Sequence, residues 1–266
     1  PIQSPAEVVD RLMASVTDRT RLAVLDHITS PTAVVFPIEE LVRELDRRGV
    51  DTLVDGAHAP GMVPLDLDRI GAAYYTGNCH KWLCAPKGAG FLRVRRDRQE
   101  GLHPAVISHG YNIRRPERPV LHEEFDWTGT DDPSAWLCVG EAIGFVDHLL
   151  EGGIEALMRT NRQLALAGRR MLCERLGLAP SCPDEMLGSM AALRLPDEPA
   201  AAAHRIHPLR IHPLQRALQE KFAIEVPVYN WPAPPNLMLR ISAQAYNSPA
   251  QYERLADALE SLLESG

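Results

Sequence analysis

The stretch from Asp51 to Arg93 restricts the folds open to this chain more than any other. A short apolar run, Thr52-Leu53-Val54, has the length and composition of a buried strand, and it ends in a carboxylate, Asp55. Gly56 follows, where the chain can turn sharply without the strain another residue would meet. A second strand-like run, Ala72 to Thr76, ends in the polar cluster Asn78-Cys79-His80-Lys81. In open α/β sheets ligands sit outside the carboxyl ends of the strands. An acid and an amine are therefore offered at two such ends.

The surrounding chain keeps the same rhythm. Ser4-Pro5-Ala6-Glu7 carries two helix-start signals, and Val8, Val9, Leu12, Met13 and Val16 continue it as an apolar face. Arg21 to Leu25 reads as a strand, and Pro31 bars a helix just beyond it. Ile38, Leu41, Val42 and Leu45 mark the next helix, closed by Gly49. Strand, helix and strand in alternation predict a mostly parallel sheet covered by helices, an α/β fold. Phe91 to Val94 supplies a further strand. Gly101 to Arg118 lacks periodicity and reads as a long active-site loop. Asp132 or Ser134 caps a helix from Ala135 to about Leu150, and Gly152-Gly153 breaks the pattern. We place the domain boundary there. The second part, 153–266, reads as a helix (Ile154 to about Leu176), a strand (Met190 to Leu195), a helix (Leu214 to Phe222), two strands (Ile224 to Val228, Leu237 to Ile241) and a helix (Ala250 to Leu263). That order suits a small α+β domain.

Composition excludes several classes. A net charge of −7 over 266 residues argues against nucleic acid, which calls for a basic face. No apolar run is long enough to span a bilayer and no signal-like start is visible, so a cytoplasmic enzyme is expected. Five cysteines with no C-x-x-C spacing suit reduced thiols rather than a disulfide framework, and no metal site is expected. His204, His207 and His212 lie in a short near-duplication, Ile206-His-Pro-Leu209 and Ile211-His-Pro-Leu214, that reads as a solvated loop.

An acid and a lysine at adjacent strand ends meet the needs of pyridoxal 5′-phosphate. The amine forms a Schiff base with its aldehyde, and the carboxylate holds its ring nitrogen protonated. Asp55-Gly56-Ala57-His58-Ala59-Pro60-Gly61, followed by Thr76-Gly77-Asn78-Cys79-His80-Lys81-Trp82, resembles the class V aminotransferase family within the fold type I enzymes, and most of all its isopenicillin N epimerase-like branch. The resemblance implies that Lys81 carries the cofactor, Asp55 pairs with the ring nitrogen and His58 lies near the ring hydroxyl. It puts Asn78 and His80 on the phosphate side, and Thr29 or Ser30 at the ring or the substrate carboxylate. Thr128-Gly129-Thr130 would reach the phosphate of a neighbouring subunit's cofactor, which implies a homodimer. Arg240 resembles the arginine that grips the substrate α-carboxylate, a role its planar fork suits.

By the same resemblance residues 1–152 form the C-terminal part of a cofactor-binding large domain, residues 153–266 form the small domain, and an N-terminal part of the family fold precedes Pro1. The implied reaction acts at the Cα of an amino acid or amino-acid-bearing compound, as an epimerase or aminotransferase. A C–S lyase is the alternative. Epimerisation by two bases needs a second acid opposite Lys81, for which His109, Tyr111 and Tyr246 are the candidates. A desulfurase needs a nucleophilic cysteine shortly before the Arg240 strand, and residues 223–239 contain none. A non-catalytic fragment or partner of a longer enzyme is the reading from another class.

Overall fold

A computed structural model describes residues 1–197 and 211–264. Three strands run parallel in sequence order, β1 (Leu22–Asp26), β2 (Asp51–Gly56) and β3 (Tyr74–Asn78), and β4 (Gly90–Val94) closes the sheet antiparallel to β3. Helix α1 (Pro5–Met13) starts as its sequence dictates: Ser4 Oγ accepts from Glu7 N at 3.2 Å, and the Glu7 carboxylate accepts from Gln3 N at 2.7 Å. Helix α2 (Ile38–Asp46) is the crossover from β1 to β2 and buries its whole apolar stripe, Ile38, Leu41, Val42 and Leu45. A single turn, α3 (Leu67–Ile70), lies between β2 and β3.

Side chains alternate across the sheet, and register neighbours share a face. Leu25, Val54 and Tyr75 are in register and point into the core. Asp26, Asp55 and Thr76, one residue further on, are also in register and point to the other face. Val24 and Leu92 on that second face are exposed.

Residues 101–126 are less loop-like than their sequence suggests. The expected loop, residues 101–118, holds one short helix, α4 (His109–Asn112), and α5 (Val120–Phe125) follows it. Two buried carboxylates organise them. Glu124 accepts from His103 Nδ1 at 2.5 Å and Arg114 Nη2 at 2.8 Å, while Glu123 pairs with Arg115 and Arg118. The expected helix from Ala135 is divided into α6 (Ser134–Leu137) and α7 (Val139–Asp147) at Cys138, whose ψ of −4° departs from the α-helical value of about −42°. Asp132 Oδ1 accepts from Ser134 N at 2.9 Å at its start, and Asp147 Oδ1 accepts from Ile154 N at 2.9 Å as α8 (Gly153–Leu176) begins.

The remaining chain forms an antiparallel sheet in the order β5 (Met190–Arg194), β7 (Leu237–Ser242), β6 (Val228–Asn230). It packs with α8, α9 (Pro213–Phe222) and α10 (Pro249–Glu264). The strand expected from Ile224 begins only at Val228, because Pro227 has no N–H to give a ladder. His212 is buried, and its Nδ1 accepts from Leu214 N at 3.1 Å at the start of α9; His204 and His207 lie outside the described residues. Val35 N donates to Met186 O at 2.8 Å, and one apolar core runs from α1, α2 and the parallel sheet through α8, β5, β7 and α10.

Candidate active site

Two carboxylates stand at the strand ends. Asp55 Oδ1 accepts from Ala57 N at 2.9 Å, which turns the chain just after β2 and leaves the other oxygen exposed. Asp26 is its register partner on β1, half-buried. Burial raises the Asp26 carboxyl above its ordinary value, the Asp55 charge adds to this, and Lys81 opposes it. Sequence reasoning missed Asp26. Its only signal was the shared register with Asp55.

Behind the carboxylates, on the core side, His27 Nδ1 lies 2.7 Å from the Tyr75 hydroxyl, both buried. Burial pushes His27 down to about 4, against a smaller contrary effect of Glu39. This packing explains Gly56, though not as a turn residue. A Cβ there would lie 2.3 Å from the Tyr75 ring. The positive φ, +80°, belongs to Gly61, where a Cβ would lie 2.8 Å from the Trp82 carbonyl carbon. Glycine at 61 lets the loop after β2 press against the loop that follows β3.

That contact joins His58 to Lys81. Lys81 Nζ is 3.2 Å from His58 Nε2, and Trp82 Nε1 donates to His58 Nδ1 at 3.5 Å. An indole N–H only donates, so Nδ1 is the acceptor, and a neutral ring then carries its proton on Nε2. Nε2 and Nζ lie within reach of one shared proton. Burial lowers the Lys81 pKa, Arg240 lowers it further, and Asp55 and Asp26 pull the other way. Burial, then Lys81 and Arg240, push His58 down to about 4.

Arg240 enters from β7 of the second sheet. Its Nη1 donates to Ser30 O at 2.6 Å and Ser30 Oγ at 3.1 Å, and Tyr229 OH donates to Pro31 O. The loop after β1 is thereby pinned from the second sheet. Arg240 Nε is buried with no hydrogen-bond partner, an orphan donor that an anion would satisfy.

The structure thus brings Asp55, His58, Lys81, Arg240 and, through Arg240, Ser30 together. Thr29 does local work: its Oγ1 lies 2.6 Å from Thr32 Oγ1 and accepts from Val34 N at 2.9 Å. Asn78 ends β3 opposite Gly90, and His80 Nδ1 lies 2.9 Å from Ala89 O, which shapes the Lys81 loop from behind. Thr128 and Thr130 are exposed, Gly129 is half-buried, and no hydrogen bond links the three to Lys81. Tyr246 is 81% exposed, and Tyr111 is exposed beside His103 and Arg114. His109 is also exposed, and none of these three meets Lys81 in a hydrogen bond.

The donor set fits pyridoxal 5′-phosphate. A lysine with depressed basicity, a carboxylate with a free oxygen, a neutral imidazole and a guanidinium with an orphaned N–H lie close enough to act on one another.

Comparison with known proteins agrees. The chain is 39% identical to isopenicillin N epimerase of Streptomyces clavuligerus over 97% of its own length and 64% of that protein. It is 37% identical to a probable chloroplastic L-cysteine desulfhydrase of Arabidopsis thaliana, over 100% of itself and 57% of that protein. The chain therefore spans about 60% of the length of such relatives. In fold it resembles the apo cysteine desulfurase of Thermococcus onnurineus NA1, with a TM-score of 0.74 at 18% identity, over 99% of this chain and 64% of that one. The aminotransferase class-V profile matches residues 5–203, and the chain belongs to that family of fold type I enzymes, whose cofactor is pyridoxal phosphate.

Proposed function

We propose that Lys81 moves a proton at the Cα of an amino acid or amino-acid-bearing compound, in an enzyme of the isopenicillin N epimerase type. The single observation that carries this reading is the Lys81–His58 contact at 3.2 Å. It supports an amine within proton-transfer reach of a neutral imidazole, its basicity lowered by burial. Pyridoxal phosphate, when bound, supplies an electron-accepting ring that makes the Cα proton acidic. Asp55 holds that ring's nitrogen with its free oxygen, and His58 faces the Lys81 side. Asn78 and His80 serve the phosphate side of the same loop. A substrate carboxylate set against the Arg240 Nε edge satisfies its orphaned N–H, while Ser30 fixes the opposite edge. The reading divides the chain at residue 152, with the lysine from the first part and the arginine from the second. It also assigns Thr128, Gly129 and Thr130, which no hydrogen bond ties to Lys81 in the single chain, to the cofactor phosphate of a second copy.

A C–S lyase is the second reading. It is favoured by the absence, among the described residues, of an acid hydrogen-bonded opposite Lys81, and by the desulfhydrase likeness. One base suffices to remove the proton before a β-group leaves.

The test incubates the chain with pyridoxal phosphate and L- or D-amino acids in deuterium oxide. Deuterium at Cα with inversion supports the epimerase, keto acid and amine transfer a transaminase, and sulfide with pyruvate the lyase. Lys81→Ala should abolish the exchange and the visible absorbance that survives dialysis. Exchange at the wild-type rate in Lys81→Ala would overturn the assignment of the base.

A further inference from the structure

The carboxylate pair at the ends of β1 and β2 does more than one ring nitrogen requires. Asp26 and Asp55 are register neighbours on adjacent parallel strands, so their backbones are about 4.8 Å apart and both side chains leave the same face. Asp26 makes no hydrogen bond that would explain it as a turn or cap residue, in contrast to Asp55 on Ala57 N. The charged groups that act on it are Asp55 from β2 and Lys81 from the loop after β3. His58 and Arg240 act on Lys81 in turn, and His27, the next residue, points to the opposite face toward Tyr75. A half-buried acid pressed against another acid is unfavourable unless something positive lies over both.

We propose that Asp26 is a positioning residue that acts through Asp55. The two form a carboxylate pair, and the second negative charge raises the proton affinity of an aromatic nitrogen held against Asp55. This rests on the pyridoxal phosphate reading of the site. The proton balance is explicit. A ring that is unprotonated in solution takes up one proton as it binds, and that proton lies between the ring nitrogen and the pair. Burial and then the Asp55 charge raise the Asp26 carboxyl in the free chain, and the Asp55 part is what this proton relieves.

The experiment compares the wild-type chain with Asp26→Asn, and with Asp26→Ser should the amide fail to give a cooperative melt. Pyridoxal phosphate binding is followed by fluorescence quenching from about pH 6 to pH 9. For each unit by which the ring nitrogen loses basicity, Asp26→Asn should bind roughly tenfold more weakly at the alkaline end and equally well at the acid end. The 15N shift of labelled cofactor should show the ring deprotonating at lower pH in the variant. Without cofactor, Asp26→Asn should melt higher than wild type near neutrality and no higher near pH 3, where the raised Asp26 carboxyl is protonated. A variant weakened equally at every pH, or an apo melting difference independent of pH, overturns the pairing and leaves the pyridoxal phosphate reading standing. A wild-type chain that binds no pyridoxal phosphate overturns both.

Discussion

His58 and His27 are both held near 4 by burial, against an ordinary 6.5. Between those values the unfolded chain takes up a proton on each ring that the native chain refuses. Stability is thus fully present above about pH 6.5 and falls as the pH drops toward 4, by up to about 1.4 kcal/mol per pH unit for each proton. Asp26 works in the opposite sense just above 3.8, because its raised carboxyl holds a proton that the unfolded chain has already lost. The melting temperature should therefore fall from pH 7 to pH 5, and His27→Gln should remove about half of that slope. A melting temperature flat across this range would contradict the assignment of both imidazoles as neutral. At this scale the sequence already named Asp55, His58, Lys81 and Arg240, because each stands in a segment whose wording is unusual. Asp26 has no such wording, and only strand register reveals it.

Among the elements, the contact between the loops after β2 and β3 is the one the site depends on, and Gly61 sets it. An alanine there takes a left-handed conformation and meets Trp82 backbone at 2.8 Å, so Gly61→Ala should cost roughly 1–3 kcal/mol. It should also weaken pyridoxal phosphate binding, since His58 and Lys81 move apart. A variant with lowered melting temperature and unchanged binding would show that the two loops do not cooperate in the site. The strands and long helices were legible in the sequence because each has an apolar stripe at its own period. Residues 101–126 were not, since the order there comes from His103, Arg114, Arg115 and Arg118 converging on Glu123 and Glu124 rather than from periodic burial. Cys138 interrupts a helix with a conformation no propensity announces, and Pro227, with no N–H to pair, delays β6 to Val228.

Across the whole molecule, one group of exposed apolar side chains sits on two neighbouring helices. Trp136 and Leu137 on α6, and Ile143 and Phe145 on α7, are each 44–64% exposed on neighbouring helices, and Trp127 next to the Thr128–Thr130 segment is 48% exposed. Patches of that kind on soluble proteins are contact surfaces, worth about 25 cal/mol for each Å² removed from water. The same helices follow directly on the segment proposed to reach a second copy's cofactor, so that proposal predicts a single contact that covers them and places Thr128–Thr130. Leu137→Ser combined with Phe145→Ser should shift sedimentation toward the smaller species and reduce binding of an apolar dye. Because both side chains lie mostly in water, the melting free energy of the separated chain should change by no more than about 0.5 kcal/mol per site. If the double variant sediments as the wild type does, α6 and α7 are not the contact. The placement of Thr128, Gly129 and Thr130 at another subunit's phosphate would then lose its geometric support, while the Lys81 cluster, built within one chain, would keep its own.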